Sequence, residues 1–314
     1  LLRNWTKLMF WFLTLEKLSK LDLTNIDLAH MYGGCYPNTI RFLKNRGIKT
    51  SYSCMMHERK ISIEEHEKYF GTYPFPHVKD DILWSMYIGG IKEADIVITP
   101  GSAPKKSLIK EGSKRVEIIP HGCNIPPEYK IDKTRLTSQD KFNIGYLGAY
   151  GPDKGLVYLI KAWEMLNYND SILIFAGNQT EYLEPFIRQY ANTGRYHILG
   201  YVKDVGELYN RCSVYVQPSV TEAFGMEVIE AMSYGHPVIV SYGAGSADCV
   251  RDGVDGFVVS AMDIKAIADK VQYFKDNTSE IERMGKNARE KSLDYSWDKI
   301  KKRYIDLWRS LLNE

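Results

Sequence analysis

The sequence predicts an α/β protein built from two open, parallel-sheet units that face a cleft. Three observations carry that prediction. Short, β-rich apolar runs alternate with helical patterns along most of the chain. The runs are apolar on both faces, as strands of a sheet covered by helices on either side must be. One polar stretch containing Pro126 and Pro127 interrupts the rhythm and divides the chain in two.

Taken in order, the chain opens on an apolar helical segment, LLRNWTKLMFWFLTLEKLSKL (1–21). A crossover helix buried against a sheet explains its Leu, Phe and Trp content. The alternative is a helix lying in a membrane interface, with Arg3, Lys7, Lys17 and Lys20 toward the headgroups. Strands follow at DLAHMY (27–32), KTSYSCM (49–55), ADIVITP (94–100) and VEIIP (116–120), with helices over 38–47 and near 103–112. After the connection at 121–141, six more strands are predicted: FNIGYL (142–147), SILIFA (171–176), YHIL (196–199), SVYVQ (213–217), PVIVS (237–241) and FVV (257–259). Between the first two of these, Leu156, Leu159, Ile160, Trp163 and Leu166 recur at helical spacing, which makes the unit βαβ. A last amphipathic helix spans 296–312. The expected division is 1–125, 126–292 and a terminal helical piece, 293–314.

Composition narrows the function classes. A formal charge of +2 over 314 residues is too small for the surface as a whole to hold nucleic acid, and no nucleic-acid partner is expected. The five cysteines are odd in number and never spaced as CxxC, which suits a reducing compartment, here the cytoplasm, and not a disulfide framework or zinc site. No apolar run reaches the roughly 18 residues of a spanning helix, and no signal peptide is visible. Lys105, Lys106, Lys110, Lys114 and Arg115 form a local basic face, ordinarily a solvated one, where an anionic acceptor or lipid surface would dock.

The chemistry gathers in TEAFGMEVIEAMSYGHP (221–237). A helix that starts near Gly225, directly after a strand of an open parallel sheet, points free N–H groups and a positive dipole end into the binding crevice. An anion belongs there, and Gly225 lets it approach the backbone. Glu230 lies more than one turn into the helix, far enough to reach a diol attached to that anion, while Glu222 stays in the loop. Taken alone, Glu222 and Glu227 could simply complement the helix N-terminus. Gly243 and Gly245 imitate a dinucleotide fingerprint, but Asp248 stands at the third glycine position. No D-x-D occurs, and HERKI after Met56 lacks the second histidine of a metalloprotease helix, so no metal is expected.

The stretch PSVTEAFGMEVIEAMSYGHPVIVS (218–241) resembles the donor-binding segment of retaining GT-B glycosyltransferases of family 4, marked by E-x7-E after a P-S turn. The resemblance continues through GAGSADCVRDGVDGFVV (243–259), HILGYVKDVGELYNRCSVYVQPS (197–219) and ADIVITPGSAPKKSLI (94–109), most of residues 94–260. It implies a GT-B fold: a Rossmann-like acceptor domain (1–125), a Rossmann-like donor domain (126–292), and a terminal helix (293–314) packing back across both. A strand and a glycine-rich loop normally precede the region matching DLAHMY, so the first domain is expected to be incomplete.

The resemblance also implies roles. Glu222 would hold hydroxyls of the transferred sugar, the amides of Phe224, Gly225 and Met226 the diphosphate, and Glu230 the ribose. Lys154, in LGAYGPDKG, would neutralise the leaving diphosphate. His57 would lie in the cleft near the sugar, and Tyr201 and Val202, after Gly200, against the nucleobase. His121 falls at the turn into the linker, where a structural duty is expected. The family's Arg after Gly148 is absent, Ala149 and Tyr150 standing there instead. The implied reaction moves a sugar from a nucleotide diphosphate, a UDP- or GDP-sugar, to an acceptor hydroxyl with retention and without cofactor or metal. The acceptor would be a saccharide, a lipid-linked sugar or a small molecule, reached by an enzyme in the cytoplasm or peripheral on the inner face of the membrane. The alternatives are a nucleotide-sugar epimerase and a non-catalytic nucleotide-binding partner subunit.

Overall fold

The structure is a computed structural model that describes residues 17–32, 36–55, 59–70, 88–127, 142–178, 184–185, 189 and 195–314. Most of the predicted helix at 1–21 and all of His57 fall outside these residues.

The first sheet has the order β1-β2-β3-β4, with β1 Leu28–Tyr32, β2 Lys49–Ser53, β3 Ile96–Thr99 and β4 Val116–Ile118, every pairing parallel. Helices α1 (Pro37–Lys44) and α3 (Ser102–Lys110) belong to this unit, whereas α2 (Arg59–Phe70), which lies between β2 and β3 in the chain, sets Ile61 and Tyr69 against the core of the second unit. Ile40, Tyr52, Ile91, Val97 and Leu108 form its core.

The second sheet has six strands in the order β10-β9-β8-β5-β6-β7, again all parallel: β5 Ile144–Leu147, β6 Leu173–Ala176, β7 Tyr196–Gly200, β8 Val214–Gln217, β9 Val238–Ser241 and β10 Gly256–Val259. Its helices are α4 (Leu156–Leu166), α5 (Gly206–Tyr209), α6 (Met226–Ser233), α7 (Ile264–Asp276), α8 (Thr278–Ser292) and α9 (Trp297–Leu312). Alternate strand residues divide between two cores. Ile144, Tyr146, Val214, Val216 and Ile239 pack beneath α4 and α7, whereas Leu147, Tyr215, Val238 and Val240 pack beneath α6. This two-sided burial is why the strands read as continuous apolar runs.

The chain runs outward from β5 through β6 to β7, then returns and builds β8, β9 and β10 on the other side. Strand order therefore reverses between β5 and β8. In open α/β sheets the crevice at such a switch point is where ligands bind.

Helix α9 returns to the first unit. Trp308 Nε1 donates to Ser51 Oγ at 3.1 Å, Tyr304 Oη lies 3.3 Å from Ser53 Oγ, and Arg303 donates to the Ile118 carbonyl at 3.1 Å. The Trp308 and Tyr304 rings both pack against His30. Elsewhere the two units are tied by Asp248, whose carboxylate accepts from the N–H and hydroxyl of Ser102 at 2.6 Å each and so caps α3 across the interface. The Tyr158 hydroxyl in α4 donates to the buried Glu65 of α2 at 2.9 Å. The four described cysteines are buried, and among the described residues no helix is long and apolar enough to cross a membrane.

Candidate functional site at the topological switch point

The loops after β5 and β8 meet because their strands are neighbours, although 68 residues separate Lys154 from Glu222. A 3₁₀ turn, Pro152–Lys154, ends on Gly155 at φ 74°. A side chain at Gly155 would begin 2.0 Å from the Pro218 carbonyl oxygen, so only glycine lets the loops close. The Asp153 backbone carbonyl then accepts from the N–H groups of Val220 and Thr221 at 2.8 and 3.2 Å. This zipper aims Lys154 at the second loop, where its Nζ donates to Glu222 Oε2.

Glu222 is held from its other side, its N–H donating to the Gly243 carbonyl at 2.8 Å. Beneath it runs a buried polar chain. The Tyr215 hydroxyl donates to Gln217 Oε1 at 2.5 Å, and Gln217 Nε2 donates to Ser219 Oγ at 2.8 Å. Satisfied networks of this kind fix loop geometry in a low-dielectric interior.

Gly225 is the N-cap of α6 at φ 87°, with no side chain bonded over the helix mouth. Such a φ strains any residue with a Cβ. Phe224 is buried, its ring edge-on to His121 at 5.1 Å, and its carbonyl accepts from Ser246 N–H at 2.9 Å. The Phe224 side chain is therefore packing; its share of the site is backbone. His121 Nε2 lies 2.9 Å from Met55 Sδ, and burial lowers the imidazole below its ordinary value. His121 thus wedges the linker between a first-unit strand end and the helix-mouth loop, which is structural work.

Glu230, one turn into α6, is largely withdrawn from solvent. Burial, and then the neighbouring Glu227, push its carboxyl up to about 7. Burial also raises Glu227 above the ordinary carboxylate value, against the pull of Lys154. The sequence draws attention to Glu222 and Glu230 by their spacing; Glu227 becomes a third carboxyl of the same mouth once the fold brings it to the loop after β5, at Gly148.

The remaining sequence-derived residues are more scattered. Tyr201 is 68% exposed after the edge strand β7, with β6 between it and the switch point, and Val202 is buried in the apolar cluster that contains Phe224 and Val228. At the position lacking the family's Arg, Ala149 is exposed and Tyr150 is fully buried in the core beside α4. Lys154 is thus the cation that the described residues bring to the mouth. Among the described residues, no three His, Cys, Asp or Glu side chains cluster so as to hold a metal ion.

Comparison with known proteins places this geometry. Residues 129–291 match the family described as glycosyl transferases group 1. The capsular polysaccharide biosynthesis glycosyltransferase CapM of Staphylococcus aureus is 30% identical over 198 residues, 56% of this chain and 51% of CapM, so the chain spans about half the length of that relative. Among solved structures, sucrose-phosphate synthase from Thermosynechococcus elongatus superposes with a TM-score of 0.72 at 23% identity, covering 91% of this chain and 74% of the synthase. Anabaena Alr3699/HepE in complex with UDP and glucose superposes with a TM-score of 0.69 at 18% identity, covering 90% and 78%. These likenesses establish the fold as GT-B. With two parallel-sheet units, the E-x7-E helix mouth at the switch point and a family match over residues 129–291, the chain belongs to the glycosyl transferases group 1 family.

Proposed function

We propose that the protein is a retaining, metal-independent glycosyltransferase that moves a hexose from a nucleotide-diphosphate donor to an acceptor hydroxyl. The observation that carries the reading is the Lys154–Glu222 pair beside the mouth of α6, with Glu230 one turn further in. Lys154 and the first amides of α6 receive the diphosphate, and Lys154 stabilises the charge that grows as the sugar bond breaks. Glu222, released from Lys154 by the arriving phosphates, accepts hydroxyl groups of the sugar. Glu230 accepts from the ribose, and the backbone at Gly200, Tyr201 and Val202 borders the base. The acceptor attacks on the face that the diphosphate leaves, with a diphosphate oxygen taking its proton, so no carboxylate pair of the glycosidase kind is required.

A uridine donor is favoured by the likeness to HepE, whose structure contains UDP and glucose. In this reading the acceptor enters from the first unit, His57 acts near the sugar as the family resemblance implies, and the basic residues of α3 face an anionic acceptor or membrane surface.

Calorimetric titration of UDP, GDP and ADP into the wild type and Glu230→Ala tests the donor site. One nucleotide should bind clearly, and the variant should lose about 1.5–3 kcal/mol, the worth of hydrogen bonds to a charged group. If none of the three binds the wild type, the reading is overturned. Anomeric analysis of the product by NMR then checks retention.

A further inference from the structure

Glu227 has no part in the roles assigned above, yet it is the carboxylate set deepest in the mouth. It is the second residue of α6, and its carboxylate folds back to accept from its own backbone N–H. It thereby occupies a donor that an anionic ligand would use. Its Oε1 lies 3.6 Å from the point where a side chain at Gly148 would begin, against the loop that leads to Lys154. Among the described residues no cationic side chain bonds to it, because Lys154 is engaged by Glu222.

The groups facing it from the surrounding elements are Tyr146 of β5, Tyr215 of β8, Tyr209 of α5, Lys154 of the 3₁₀ turn and Glu230 of its own helix, with Asp153 beyond Tyr146. The three tyrosines are buried and held well above their ordinary value, so they stay neutral. A diphosphate arriving here adds two negative charges beside three carboxylates, Glu222, Glu227 and Glu230, and one lysine. Coulomb repulsion at a few ångströms in a half-buried site is worth several kcal/mol, more than one lysine offsets. A proton removes it.

We propose that Glu227 is a diphosphate-binding residue that works as a neutral carboxylic acid, taking one proton from solvent as the nucleotide sugar binds and donating its O–H to a phosphate oxygen. The inference rests on the donor site proposed above. Glutamine has the shape of the neutral acid and its donor, so Glu227→Gln mimics the bound state permanently.

The test is calorimetry of UDP-glucose, with GDP-mannose as second probe, in buffers of different ionisation enthalpy from pH 6 to 8.5. Both phosphates of a nucleotide sugar are esterified and do not titrate in this range, so the proton count reports on the protein. The wild type should take up close to one proton more than Glu227→Gln above pH 7. Its affinity should fall by up to tenfold per pH unit there, the slope of a single linked proton. Glu227→Gln should bind more tightly than the wild type at pH 8, and the two should converge at pH 6. Binding with equal proton counts in both proteins overturns the role of Glu227 and leaves the donor site standing. Failure of both probes to bind at any pH overturns both.

Discussion

Among the carboxylates near helix mouths in the described residues, three have different kinds of partner. Glu222 meets a lysine, Asp248 meets the first N–H and hydroxyl of a helix from the other unit, and Glu230 meets no cation and another carboxylate. Glu230 is accordingly driven up to about 7, by burial first and by Glu227 second. The partner, more than the residue type, decides what a carboxylate does. Under the proposed function, the ion pair of Glu222 is a switch that a ligand opens and the buried acid of Glu230 a receptor for hydroxyls; a capped helix forms a joint.

The largest effect should come from breaking the first of these. Lys154→Ala leaves Glu222 without its ion-pair partner, and under the proposed mechanism kcat with a nucleotide sugar should fall by about 10²–10³, the usual cost of losing one electrostatic contact to a developing anion. A near-normal rate would remove Lys154 from the chemistry.

The next prediction concerns Glu230 and pH. Its folded value of about 7 lies above the ordinary 4.5, so the stability it contributes is complete below pH 4.5 and is lost as pH rises through 7. The ligand-free protein should therefore show a Tm that declines between pH 5 and 8, and Glu230→Gln should flatten that decline. If Glu230 accepts from ribose hydroxyls as proposed, it does so in its ionised form, so nucleotide affinity in a Glu227→Gln background should weaken as pH drops below 7. An unchanged slope of Tm against pH in Glu230→Gln would contradict the burial that the structure gives this side chain.

The smallest effect is at the joint. Asp248→Ala removes the cap of α3 and should cost about 0.5–2 kcal/mol in denaturant unfolding, the range for a lost helix cap. Asp248→Asn keeps an acceptor and should recover part of it. Equal stability of all three proteins would mean that the Asp248–Ser102 contact adds nothing to the joint between the two units.

Much of this was legible in the residues. Strands such as PVIVS and SVYVQ declare themselves because a sheet covered on both faces needs unbroken apolar runs. The start of α6 at Gly225 follows from a turn after a strand and a glycine that tolerates positive φ. Illegible were the contacts that depend on strand order. Lys154 and Glu222 meet because β5 and β8 are neighbours, and Ser102 is capped by a residue 146 positions away. Neither distance leaves a local trace, since hydrogen bonds and ion pairs between loops impose no periodicity on the chain.

By itself, then, the sequence determined the alternation of strands and helices, the two-unit division and the chemical character of the α6 mouth, all of which follow from local propensity and burial pattern. The reversal of strand order between β5 and β8, the pairing of Lys154 with Glu222, and the placing of Glu227 and Glu230 where no cation among the described residues bonds to them were decided by the tertiary structure. Charge interactions depend on distance and on exclusion of water, and both exist only once the chain has closed around them.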